Sequence, residues 1–586
     1  MNLRRAAIAA ALSALLAACG GGGNNEPTAA PPTLSPLGPG ESAYEDPNAY
    51  SSAADAALPG AEEAAAVTRH SLTLNGTRID YTARAGHLIA RAPGSNAAQA
   101  SMFYVAYTAD GANSDSAANS AARPVTFFYN GGPGSASVWL HLGSFGPQRL
   151  ATGVPATTLA RPFARVPNTE SLLDASDLVF INAVGTGLSQ AIAPYSNRSF
   201  WGVDADAALF RDIIQRWLLV NGRTASPKFL FGESYGGPRT AVLARLLQDA
   251  GVMLSGLVLQ SPAMDYNSNC GVIGSGNCGA NLPTYGAIGA WHGLSNPVPA
   301  DVDAYMGLLR GFVAARYAPA VAAYLQGTPP PVDLTGLLAG YTGITPQLWS
   351  TQFNLGPGAF ANNLFVGSII GRYDGRISAT RGSTLASEGD PSSTLIGTSF
   401  SVGIASYLRD TLRYNNASTY VLLGNAIESW NFSHAGRALP DTVPDIAAAL
   451  LQNPALRVLV ANGYHDLATP FHVTERDMAR LGSDARIQVR NYPGGHMSYL
   501  DDATRVRQKA DLVAFYAGTL TAQQARARPQ AAPVVLPLPG ADRAGTPLRT
   551  LQRAAAEPVI QTPHRDPWVP PEQVQRALRE RDEVPR

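Results

Sequence analysis

The chain has 586 residues, 45% of them hydrophobic and 15% charged, a balance that supports folded cores and excludes wholesale disorder. Lys+Arg and Asp+Glu both number 43, so the formal charge is +0 and nothing favours a nucleic-acid partner, which would call for a strongly basic surface. The length fits one large domain with insertions or two to three ordinary domains.

The chain opens on a sorting signal. Arg4 and Arg5 precede an unbroken run of small and apolar residues, 6–18, too short to span a bilayer but suited to the core of a signal peptide. The run ends Leu16-Ala17-Ala18-Cys19, which resembles a bacterial lipobox. On that reading residues 1–18 are removed and Cys19 carries a lipid. Gly20, where an Asp would favour the inner membrane, points to the outer membrane, facing the periplasm or the cell surface. Residues 19–66 are rich in Gly, Pro, Ala and Ser without a sustained period, and are expected to be a flexible tether. No later segment has the length and apolarity of a membrane helix, so membrane contact is expected through the lipid alone.

Ordered structure is predicted from residue 67 onward. Residues 71–74 and 77–84 read as a hairpin about Asn75-Gly76, and 102–108 as a strand with alternating aromatics. Short apolar runs at 125–129, 178–181, 229–231, 257–259, 457–460 and 487–490 suit strands buried on both faces. Helices are predicted at 203–219, 238–250, 473–481 and 503–516. Hairpin strands first, then strands alternating with helices, predict an α/β fold. Its sheet is mostly parallel with an antiparallel start and helices on both faces, the outline of an α/β-hydrolase. About 200 residues separate the strands at 257 and 457, far beyond an ordinary connection. The core is therefore assigned to 67–270 and 441–520, with 271–440 an inserted cap containing a helical stretch at 304–324. Residues 521–586 form a Pro- and Arg-rich tail. Cys270 and Cys278 bracket the loop NCGVIGSGNCG, and export to an oxidising compartment predicts a disulfide between them. No His or carboxylate inside that loop offers a metal a ligand.

Four loops carry chemistry. Phe231-Gly232-Glu233-Ser234-Tyr235-Gly236-Gly237 follows a short strand and precedes a helix, the context that thrusts a serine hydroxyl out of a sharp turn. Ser234 is the candidate nucleophile. A serine needs a base and a group to orient it, and in this fold they follow in the order Ser, Asp, His. Asp466 lies on the loop after the 457–460 strand, and His496 on the loop after 487–490 with two glycines before it. His465 adjoins the Asp but precedes the last strand. His141, His292, His434 and His472 read as packing or surface residues. The loop after the 125–129 strand, Asn130-Gly131-Gly132-Pro133-Gly134-Ser135, is suited to aim backbone N–H groups at a developing oxyanion, and the hole is assigned to the amides of Gly131 and Tyr235. A phosphate loop is rejected because no Lys-Ser/Thr pair opens a helix there.

Together NGGPGS (130–135), VGTGLS (184–189), GESYGG (232–237), NGYHDLATP (462–470) and GGHMSY (494–499) resemble the serine carboxypeptidase family, and its bacterial secreted branch in particular. The resemblance implies removal of one residue from the C-terminus of a peptide through Ser234, Asp466 and His496. It also implies that Asn130 and Glu233 hold the substrate's free carboxylate. Two positions depart from the family. Ser144, in Ser144-Phe145-Gly146-Pro147, stands where a second acid would pair with Glu233, and Phe128 replaces the usual Trp. A single remaining acid predicts a weaker dependence on low pH, since two acids sharing a proton is what favours acidity. No metal or organic cofactor is implied. The alternatives are an esterase or acyltransferase using the same residues, favoured by the missing acid, and a surface lipoprotein that uses a dead hydrolase fold for binding.

Overall fold

The computed structural model describes residues 34, 36–110, 122–271, 276–521, 572, 573, 575 and 576. The signal segment, Cys19 and most of the tail lie outside them. The chain divides into two units, Met1–Leu37 and Gly38–Arg586. Of the first, residues 34, 36 and 37 are described, irregular and exposed.

The second unit is built on a ten-stranded sheet. Its strands are β1 (Ala64–Leu74), β2 (Thr77–Arg91), β3 (Ala98–Asp110), β4 (Val125–Tyr129), β5 (Asp177–Ile181), β6 (Lys228–Glu233), β7 (Gly256–Gln260), β8 (Arg457–Gly463) and β9 (Ile487–Tyr492), with the two-residue strand Gln190–Ala191 beside β3. The order is β9-β8-β7-β6-β4-β5-β3-β2-β1. From β9 to β5 every pairing is parallel, and from β5 to β1 every pairing is antiparallel. This is the predicted mostly parallel α/β sheet with an antiparallel start. The β1–β2 turn has Asn75 and Gly76 both at positive φ, 48° and 79°, which matches the right-handed twist of the strands it joins.

The helices that flank the sheet are α1 (Val203–Val220), α2 (Gly236–Asp249), α3 (Val443–Gln452), α4 (Phe471–Ala479) and α5 (Asp502–Ala517). Alternation along the central strands sends side chains to two cores. On one face Val125, Phe127 and Tyr129 of β4 pack with Phe210, Ile213 and Trp217 of α1 and Val242 and Leu243 of α2. On the other, Phe128 joins Phe229 and Phe231 of β6 with Leu512 and Phe515 of α5. Between β7 and β8 lie the helices Leu282–Trp291, Val302–Phe312, Val332–Thr342 and Pro391–Ser406, among shorter elements. The 304–324 stretch is continuous: Val302–Phe312, a π turn at Val313–Tyr317 and Ala318–Leu325. Cys270 and Cys278 form a disulfide, their Cα atoms 5.2 Å apart.

The expected tether to residue 66 is corrected. Tyr44–Asp46 is a strand parallel to Tyr414–Asn416. The buried Asp46 carboxylate accepts from the hydroxyls of Tyr50 at 2.9 Å and Tyr414 at 2.7 Å, and Ala64–Ala66 opens β1. The polar composition that read as linker supplies hydrogen bonds that pin this segment to the body. In the tail, Gln573 donates to the Trp430 carbonyl at 2.6 Å and accepts from the Phe432 amide at 2.8 Å. No helix among the described residues is long and apolar enough to cross a membrane.

Candidate active site

β6 runs through Gly232 and Glu233 into Ser234, whose φ is +62°, and α2 begins two residues later. A side chain rarely adopts that backbone, so the surroundings must hold it. The Ser234 amide donates to the Gln260 carbonyl at 2.9 Å, and the Ser234 carbonyl accepts from Gly237 at 2.9 Å. Gly232 is obligatory here: a Cβ would lie 2.2 Å from the Gly236 carbonyl oxygen. This is the strained strand–turn–helix predicted for the serine.

Gly131 is almost as tight, for a Cβ on it would stand 2.4 Å from the Tyr235 amide nitrogen. The two backbone positions assigned to the oxyanion hole therefore abut. Asn130 is tied down on both sides. Its carbonyl accepts from Arg239 Nη1 at 2.6 Å, and its side-chain oxygen accepts from the Leu140 amide at 3.1 Å. Its Nδ2 donates to Glu233 Oε1 at 2.7 Å. Arg239 is wholly buried, and its Nε donates to Asp206 Oδ2 at 2.6 Å.

β8 ends in the loop that carries Asp466. This buried carboxylate accepts from the amides of Ala468 at 2.8 Å and Thr469 at 3.0 Å and from the Thr469 hydroxyl at 2.7 Å. Its Oδ2 meets His496 Nδ1 at 2.8 Å. The His496 amide donates to the Tyr373 carbonyl at 2.6 Å, and its carbonyl accepts from Ser261 Oγ at 2.8 Å. Burial pulls the His496 imidazole down. The charge and hydrogen bond of Asp466, with the charge of Glu233, outweigh it and leave the pKa above its ordinary value. Glu233 moves up to about 7, chiefly because it is buried.

Ser234 and His496 line one cavity of about 270 Å³, together with Asn130, Gly131 and Glu233. Trp139, Ile396, Leu423, Ile427 and Met497 give the same cavity apolar walls. The structure thus gathers at one place residues from four separate loops: 130–131, 233–235, 466 and 496. Such a set can activate a hydroxyl, stabilise an oxyanion and receive a carboxylate. His465, the sequence rival for the base, is buried elsewhere, with Nδ1 3.2 Å from the Gly494 carbonyl oxygen and its pKa lowered to about 3, first by burial. Ser144 is buried and donates to its own helix at Leu140, 2.5 Å.

Sequence reading gave no role to Thr469, although it lies in the quoted NGYHDLATP. Its hydroxyl sits 3.1 Å from His496 Nδ1 and bridges to Asp466. Tyr373, whose carbonyl seats His496, left no sequence signal, because a backbone oxygen can come from any residue. Among the described residues no cluster of His, Cys, Asp and Glu could hold a metal.

Residues 76–274 match the serine carboxypeptidase family. The resemblance to the family, as distinct from its bacterial branch, is borne out over that segment, which includes Asn130, Gly131, Glu233, Ser234 and Tyr235; Asp466 and His496 lie beyond it. No curated protein matches the chain. Among solved structures, a prohormone-processing carboxypeptidase, Kex1, from Saccharomyces cerevisiae aligns with 16% identity and a TM-score of 0.47, over 75% of this chain and 91% of its own. A proline iminopeptidase from Mycobacterium smegmatis aligns with 14% identity and a TM-score of 0.30, over 77% and 98%. An esterase from Thermogutta terrifontis aligns with 14% identity and a TM-score of 0.28, over 78% and 100%.

Proposed function

We propose that this serine carboxypeptidase-family hydrolase removes the C-terminal residue of peptides through an acyl-enzyme on Ser234. His496 takes the hydroxyl proton as Ser234 attacks the scissile carbonyl, and Asp466 orients the imidazole and supports its charged form. The amides of Gly131 and Tyr235 stabilise the tetrahedral oxyanion. His496 returns the proton to the leaving amine, and water then releases the acyl group. Asn130 and the acid of Glu233 hold the free carboxylate of the departing residue.

The observation that carries this reading is that His496, hydrogen-bonded to Asp466, lines the cavity that Ser234 shares with the Asn130–Glu233 pair. Ser234→Ala is expected to abolish labelling by a fluorophosphonate probe, and labelling at full strength would refute the mechanism. A peptide digest followed by mass spectrometry is expected to show stepwise loss from the C-terminus.

The missing acid at position 144 favours a second reading, an esterase or acyltransferase with the same residues. A blocked dipeptide tested against its C-terminal amide and a simple ester separates the two, since only the peptidase requires a free carboxylate. Anchoring by a lipid on Cys19, with the body held at the outer membrane, accompanies the proposal. Its support is the lipobox-like sequence, and its test is loss of metabolic fatty-acid labelling in Cys19→Ala.

A further inference from the structure

Two buried polar atoms have no well-formed hydrogen bond: Oε2 of Glu233, which lines the cavity, and the hydroxyl of Tyr499. Buried groups left open are uncommon and costly, so an acceptor and a donor open side by side require a reason. Tyr499 belongs to the turn Ser498–Leu500 just after His496 and is fully buried. Its ring lies on Gly143, where a Cβ would stand 3.0 Å from Cε2. The ring therefore occupies the space beside the backbone that leads into Ser144, whose own hydroxyl is turned away to Leu140.

From that seat the phenol faces Glu233 and Asn130. Burial first, then the charge of Glu233, raises the phenol's pKa, while an Asn130 contact opposes the rise. Around Glu233, burial raises the pKa. His496, Tyr499 and Asn130 favour its ionised form, and Asp466 opposes it.

We propose that Tyr499 is a positioning residue for carboxylate recognition: its hydroxyl donates to Glu233 Oε2 as Asn130 donates to Oε1, and so fixes the acid's orientation at the cavity and stabilises its ionised form. This rests on the reading of Glu233 given above. The proton is shared and no covalent bond changes hands. A neutral Glu233, held by Asn130 and the phenol, offers its proton to the substrate carboxylate. An ionised Glu233 uses the same donor to stabilise its charge. Tyr499 thereby sets the pH at which the pocket stops accepting carboxylates.

The test is Tyr499→Phe, with KM measured from pH 5 to 9 on a blocked dipeptide and on the matching ester. Loss of a donor to the charged form raises the pKa of Glu233. The alkaline rise of KM for the dipeptide is therefore expected to move up by about one pH unit, while the ester's profile keeps its place. A dipeptide profile that does not move overturns the proposal. Glu233→Gln, measured alongside, tells the two readings apart. If it leaves the alkaline rise intact, Glu233 does not hold the carboxylate and both readings fall. If it flattens the rise while Tyr499→Phe moves nothing, only the role of Tyr499 falls. Should Tyr499→Phe fold poorly, Gly143→Ala displaces the ring without deleting the phenol. It is expected to move the rise in the same direction by less, and no movement there is equally fatal.

Discussion

Glu233→Gln puts a number on what it costs to bury an acid beside Ser234. Burial lifts its carboxyl from the ordinary 4.5 to about 7. At about 1.4 kcal/mol per pH unit, ionising Glu233 in the folded protein costs roughly 3 kcal/mol more than in the unfolded chain. Because the folded pKa is the higher one, the contribution is fully present below pH 4.5 and is lost as pH rises through about 7. Above that, the wild type carries the whole cost. Glutamine is neutral throughout, keeps an acceptor for Asn130 and adds an N–H donor. The variant's stability relative to wild type should therefore climb between pH 4.5 and 7 and level off about 3 kcal/mol higher. Urea unfolding of both proteins from pH 4 to 9 measures this difference, and subtraction removes the titrating groups that do not interact with Glu233, Asp477 with its pKa near 7 included. A difference that stays flat across the range would refute the argument, for it would mean that Glu233 ionises as an exposed acid does. The same substitution should flatten the pH dependence of KM for free-carboxylate peptides, because an amide donates whether or not the solution supplies a proton.

Asp466→Asn removes the acceptor of His496 Nδ1 and leaves its other donors, the Ala468 and Thr469 amides, facing an amide. A fall of about 10⁴-fold in kcat is expected, with KM little changed. The acid limb of the rate profile should move down, since Asp466 supplies the charge that holds the imidazole's pKa up. Arg239→Met leaves Asp206 buried without its partner and should lower stability by about 3–5 kcal/mol in urea unfolding. Pairing it with Asp206→Leu should restore much of that loss. KM for peptides should stay raised, because the Asn130 carbonyl still lacks the donor that fixed it.

The strand–Ser234–helix unit was legible because its causes are local. An apolar run sets β6, glycines permit the close approaches, and the periodic face of α2 follows. Asp466 and His496 were legible by chain order, each on a loop after a core strand. The tether was misread because composition reports the absence of a period and not the presence of partners: Asp46 is held by Tyr414, 368 residues away. For the same reason the Asp206–Arg239 pair beneath Asn130 gave no sign, as a buried ion pair looks in sequence like two surface charges.

Sequence alone determined the run of core strands and the loops on which the candidate reactive side chains sit, since hydrophobic period, turn residues and loop position act over a few residues at a time. Only the tertiary structure decided what each reactive group feels. The seat of His496 on the Tyr373 carbonyl, the neutral-leaning Glu233 and the Tyr499 ring lying on Gly143 all arise where distant segments close on one another and shut out water. Desolvation and short-range hydrogen bonding depend on that closure and on nothing that neighbours in sequence can report.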